Sequence, residues 1–151
     1  MALQPKPSIL FVCRDNAGLS LLAEAISNHT QPHLRAFSAG LSPHATIDMA
    51  AVECLHAQGV PADGLSCKPL EVFTLPGAPH IDAVISLVSS AHASVARSAL
   101  RPQHRLHHCW QMEDVSRLDD IHERRLAYRR LLPELRAAIG ALGAGRRAAA
   151  A

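Results

Sequence analysis

The chain predicts an α/β domain, a three-layer sandwich with a central parallel sheet of about four strands and helices on both faces. Three observations carry this expectation. Strand-like and helix-like segments alternate along its 151 residues, the pattern of parallel strands joined by helical crossovers. The first strand candidate is a continuous apolar run, as expected of a strand covered on both faces. The residues with chemical potential fall at the carboxyl ends of strands, where such sheets open their ligand crevices.

Ser8 to Cys13 contains Ile9-Leu10-Phe11-Val12 and reads as a fully buried strand. Ser20 to Asn28 reads as a helix, with Ser20 as N-cap and Glu24 in its first turns. A second strand lies within Leu34 to Leu41 and ends at Ser38-Ala39-Gly40. Thr46 or Asp48 caps a helix running to Gln58, and Gly59 stops it. Asp63 to Pro79 is punctuated by Pro and Gly and reads as loop around a short strand. Ile81 to Val88 is the next strand. Ser89 or Ser90 opens a helix toward Leu100, which Arg101-Pro102 ends. Leu106 to Trp110 is a short strand. Asp119 to Leu142 is a long final helix, bent or interrupted near Pro133. Residues 1–142 are expected to form a single domain and residues 143–151 a flexible tail.

Composition narrows the function. Hydrophobic residues make up 48% of the chain, enough for a sizeable core. No apolar run approaches the ~18 residues of a membrane span. Met1 to Ser8 carries one lysine and no long apolar stretch, so no signal peptide is expected. A net charge of +2, scattered along the chain, argues against nucleic acid. Aromatic residues at 3% leave no base-stacking platform. The cysteines are Cys13, Cys54, Cys67 and Cys109. Their spacings fit neither a zinc pattern nor a redox pair, which points to reduced thiols in a cytoplasm. Cys54, Cys67 and Cys109 read as small buried apolar residues. On a strand, His107 and Cys109 share one face beside His104 and His108, half of a metal site that lacks further ligands. No metal or cofactor is implied. Arg124-Arg125 and Arg129-Arg130, with Glu123, read as a solvated helix face.

Cys13 stands apart because of its position. It ends the first strand, and Arg14-Asp15-Asn16-Ala17-Gly18-Leu19 leads from it to Ser20 at the helix start. Strand, loop and helix in that order aim backbone N–H groups at one point, an anion site. A thiol at its centre is expected to shift toward thiolate, the nucleophilic form.

These residues resemble the low-molecular-weight protein tyrosine phosphatase family and the related thioredoxin-coupled arsenate reductases. The family signature is a cysteine, five residues, an arginine and a serine after a strand, leading into a helix with Ala-Glu near its first turn. Val12-Cys13, Asn16, Ser20 and Ala23-Glu24 match in register. Ser38-Ala39-Gly40 is similar to the family's Ser-Ala-Gly, and Asp82-Ala83-Val84-Ile85-Ser86 to its Asp-x-Val-Ile-Thr strand. Trp110 followed by Asp114 is similar to its Trp-x-x-x-Asp-Pro.

The resemblance implies phosphomonoester hydrolysis through a cysteinyl-phosphate on Cys13. Ser20 would hydrogen-bond the sulfur, and Asn16 would hold the loop in a left-handed turn. Gly18 would lend backbone freedom, Ser38 would support the loop, and Asp114 would be the general acid. The ligand class is a phosphate ester or oxyanion. The departures weaken catalysis. Leu19 replaces the arginine that would grip two phosphoryl oxygens, an interaction worth about a thousandfold or more in rate. It would also turn an apolar branch toward the anion. Arg14, the loop's basic residue, points to the pocket rim. Val115 replaces the proline after the acid. Two other functions compete: a degenerate oxyanion-binding or regulatory module, and, last, an arsenate reductase, which lacks its resolving cysteine because Val88 occupies that place.

Overall fold

The computed structural model describes residues 6–98 and 106–150, with the side chains of residue 106 and residues 144–150 left aside. Ser8–Cys13 (β1), Arg35–Gly40 (β2), Ala83–Ser86 (β3) and Leu106–Cys109 (β4) form one sheet in the order β2-β1-β3-β4. Every pairing is parallel. Leu19–Thr30 (α1), Met49–Ala57 (α2), Ser89–Ala96 (α3) and Ile121–Ala150 (α4) complete the domain. This is the α/β class the sequence predicts.

The sheet works outward from β1, whose six residues are all buried. Backbone pairing on both edges satisfies its polar groups, so Ile9, Leu10, Phe11 and Val12 can fill both sides of the core. The step from β1 to β2 and the step from β3 to β4 run in opposite directions along the sheet. Right-handed crossovers therefore place α1 and α3 on opposite faces. α1, α2 and α4 pack on one another, whereas α3 packs on β3 and β4.

Several element ends differ from the sequence reading, each for a local reason. α1 begins at Leu19 with Gly18 as N-cap, and no side chain caps it. Ser20 is inside the helix, so its hydroxyl is free for the sulfur rather than spent on the helix end. Between Asp63 and Pro79 there is only an isolated bridge, Gly40 to Pro69, and a 3-10 turn at Leu70–Thr74. α2 is capped by Asp48, which accepts the Ala50 N–H, and Gly59 ends it at φ 68°. α4 runs past Pro133 and on to Ala150, so helix occupies the stretch from 143 that the sequence reading gave to a tail. The end of the third helix at Arg101-Pro102, His104, and most of the N-terminal segment read for a signal lie outside the described residues. No helix among the described residues is long and apolar enough to cross a membrane.

Candidate active site

The loop from Cys13 to Ser20 sits where β1 ends and α1 begins, on the edge of the sheet's carboxyl face. Its sulfur side is tightly built. Cys13 Sγ and Ser20 Oγ are 2.9 Å apart, and the Asn16 N–H donates to the sulfur at 3.3 Å. Asn16, fully buried at φ 49°, donates its side-chain amide to Ser20 Oγ at 2.7 Å. Its Oδ1 accepts the Lys68 N–H at 2.9 Å, and the Lys68 carbonyl accepts the Gly40 N–H. One side chain thus ties the loop to β2 through a segment fifty residues downstream. Gly40 must lack a side chain, because a Cβ there would press within 3 Å of Asn16 and Asp15.

Ser38 is buried on β2 beside this tie. Its hydroxyl donates to Glu24 at 2.9 Å and accepts from Lys68 Nζ at 3.3 Å. Gly18 also works differently from the expectation. Its φ is −142°, outside the left-handed region. It is required because a Cβ would lie 1.7 Å from the Tyr128 hydroxyl, which reaches over the loop from α4.

The charge-handling side is another matter. Cys13 is buried, and its pKa is pushed up to about 11, chiefly by burial, with the Asp15 charge adding to it. The hydrogen bonds from Ser20 and Asn16 pull the other way without winning. Burial thus favours the neutral thiol, against the shift toward thiolate that the sequence predicts. Asp15 explains part of this. Its Oδ1 accepts the Ala17 N–H at 3.2 Å and the Cys13 thiol at 3.7 Å. Leu19 is 4% exposed and packs in the core. Arg14 is exposed.

Asp114 heads a second 3-10 turn, Val115–Arg117. Its Oδ1 accepts both the Ser116 N–H and hydroxyl, at 3.1 and 2.5 Å. Its Oδ2 is buried with no hydrogen-bond partner among the described residues, and Arg117 Nε lies 3.7 Å away. Upstream, Gln111 takes φ 53°, a left-handed conformation that turns the chain away from Trp110.

The sequence pattern of the low molecular weight phosphotyrosine protein phosphatase family matches residues 8–123. The chain belongs to this family. Solved structures agree on the fold. A thioredoxin-dependent arsenate reductase from Corynebacterium glutamicum superposes with a TM-score of 0.70 at 24% identity, over 98% of this chain and 65% of its own. The tyrosine phosphatase Wzb from Escherichia coli K30, in complex with sulphate, gives 0.71 at 18% identity, over 93% and 99%. The tyrosine phosphatase AmsI from Erwinia amylovora gives 0.66 at 18% identity, over 90% of each chain. No curated protein matches.

Within this phosphatase-family domain, sequence reasoning passed over several residues that shape the loop. Asp15 had a readable signal, since an acidic residue is out of place in a loop built for anions. Asp48, Arg124 and Tyr128 had none. Asp48 Oδ2 accepts from Arg124 Nε at 2.8 Å and from the Tyr128 hydroxyl at 2.9 Å. Burial, then the Asp48 charge, raises the Tyr128 pKa far above the ordinary phenol value, so it stays a donor. Arg124 pairs with Asp48 and Arg125 with Glu53, while Glu123, Arg129 and Arg130 are exposed as a solvated face requires. Asp15, Ala17, Asp48 and Arg124 line a cleft of about 420 Å³ beside the loop.

The remaining candidates settle simply. Cys54, Cys67 and Cys109 are free and half-buried rather than buried. His107 Nε2 lies 2.9 Å from Ser86 Oγ, and its ring stacks on His92 at 4.0 Å. Among the described residues no cluster of three or more His, Cys, Asp or Glu could hold a metal ion.

Proposed function

We propose that this chain is a catalytically lapsed member of the phosphatase family: it keeps the loop for a phosphate ester or oxyanion but does not turn such esters over efficiently. One observation carries this reading. Burial and the Asp15 carboxylate beside it push the Cys13 thiol toward its neutral form, and Leu19 stands where the family signature has its arginine. Hydrolysis on Cys13 needs a thiolate to form the S–P bond while the P–O bond breaks. It needs a positive group on the equatorial oxygens, and an acid to protonate the leaving oxygen. Here burial favours the protonated nucleophile, and residue 19 is a core leucine. Val88, buried at the head of α3, supplies no thiol for an arsenate-reductase relay.

A second reading, slow hydrolysis through Cys13, has support in the intact sulfur contacts from Ser20 and Asn16. Hydrolysis of p-nitrophenyl phosphate by the native chain and by Cys13→Ser separates the two. The lapsed reading expects equal rates. It also expects the combined Asp15→Gly and Leu19→Arg variant to gain about 100-fold or more in Cys13-dependent rate. Turnover in the native chain that Cys13→Ser abolishes would overturn it in favour of slow hydrolysis.

A further inference from the structure

Two loop donors converge on one oxygen of the chain's own making. The Ala17 N–H and the Cys13 thiol both reach Asp15 Oδ1, at 3.2 and 3.7 Å. The first contact alone is an ordinary Asx turn, in which an aspartate accepts from the backbone two residues on. The second is not, because it brings a carboxylate against the sulfur at the centre of the loop. We propose that Asp15 is the loop's resident anion: an internal carboxylate that takes the place of a free oxyanion and decides which ligands the loop accepts. The inference rests on the reading of Cys13–Ser20 as an oxyanion loop.

The surroundings give this carboxylate its leverage. A phosphate entering the loop would meet a like charge a few ångströms away, and desolvation there strengthens the repulsion. Nothing within the loop offsets it, since Leu19 is in the core and the Arg14 side chain is exposed. Arg124, the cation of the adjoining cleft, is committed to Asp48. Asp15 also lines that cleft, so its side chain has open volume beside it and can swing off the Ala17 N–H. The same charge helps hold the proton on Cys13. A single carboxylate therefore opposes both the ligand and the nucleophile.

The test is the binding of inorganic phosphate to the full chain by titration calorimetry at fixed pH and ionic strength, for the native protein, Asp15→Asn and Asp15→Ala. Asp15→Asn keeps an oxygen for the Ala17 N–H and removes only the charge. Both variants are expected to bind at least ~10-fold tighter than the native chain. Both should also alkylate Cys13 with iodoacetamide at lower pH. Folded variants with native phosphate affinity overturn the proposal, and so does an absence of phosphate binding in all three proteins. If Asp15→Ala fails to fold, Asp15→Asn alone decides. Cys13-dependent turnover by the native chain would sink the lapsed reading yet leave this comparison standing, because it reads affinity and not rate.

Discussion

The two sides of one short loop have had different fates. On the sulfur side, Cys13, Asn16 and Ser20 form a buried, mutually bonded set that is anchored to β2 through Lys68 and Gly40. On the charge side, Asp15 adds a negative group, Leu19 leaves for the core, and Asp114 is held by Ser116. The sulfur side is made of contacts that also hold the fold together, so losing any of them costs stability. A cation on the charge side would matter only when an anion is present. Shape and chemistry are separable in this loop because different residues maintain them.

That contrast can be broken where it should be strongest. Asn16→Ala removes two side-chain hydrogen bonds, to Ser20 and from Lys68, and a side chain suited to φ 49°. It is expected to cost about 2–4 kcal/mol of stability, read as a lowered urea midpoint at unchanged slope. A loss below about 1 kcal/mol would mean that the loop keeps its shape without its tie to Lys68.

Gly18→Ala should come next, at about 1–3 kcal/mol, because the new methyl overlaps the Tyr128 hydroxyl. Tyr128→Phe removes that oxygen, so the pair of changes should cost less than the sum of the two single ones. Strict additivity in a double-mutant cycle would show that α4 does not confine the loop at this point.

Cys13 makes the stability depend on pH only in alkali. Its folded pKa, about 11, lies above the ordinary thiol value of 9.0. Between those values the unfolded chain releases a proton that the folded chain keeps, so stability falls as pH rises. The contribution is fully present below about pH 9 and is lost on the way to 11. Urea midpoints measured from pH 8 to 10 should decline in the native chain and decline less in Cys13→Ser. Equal slopes would show that the thiol is not the neutral, buried group that the charge side requires.

Much of the fold was legible because it rests on repeating patterns. The apolar run Ile9 to Val12, the cap at Asp48 and the stop at Gly59 each follow from the chemistry of a few neighbouring residues. What escaped were features made by distance. Nothing local marks Lys68 as the partner of Asn16, or Tyr128 as the occupant of the space over Gly18. The left-handed turn at Gln111 has no glycine or asparagine to announce it.

The hydroxyl of Tyr128 over Gly18 has a consequence for how such a chain can drift. Any side chain at position 18 collides with a tyrosine at 128, and a shorter residue at 128 strands Asp48 with one partner fewer. The two positions are therefore free to change only as a pair, or with an intermediate that is less stable than either end. A loop and a helix more than a hundred residues apart in sequence are bound into a single inherited unit.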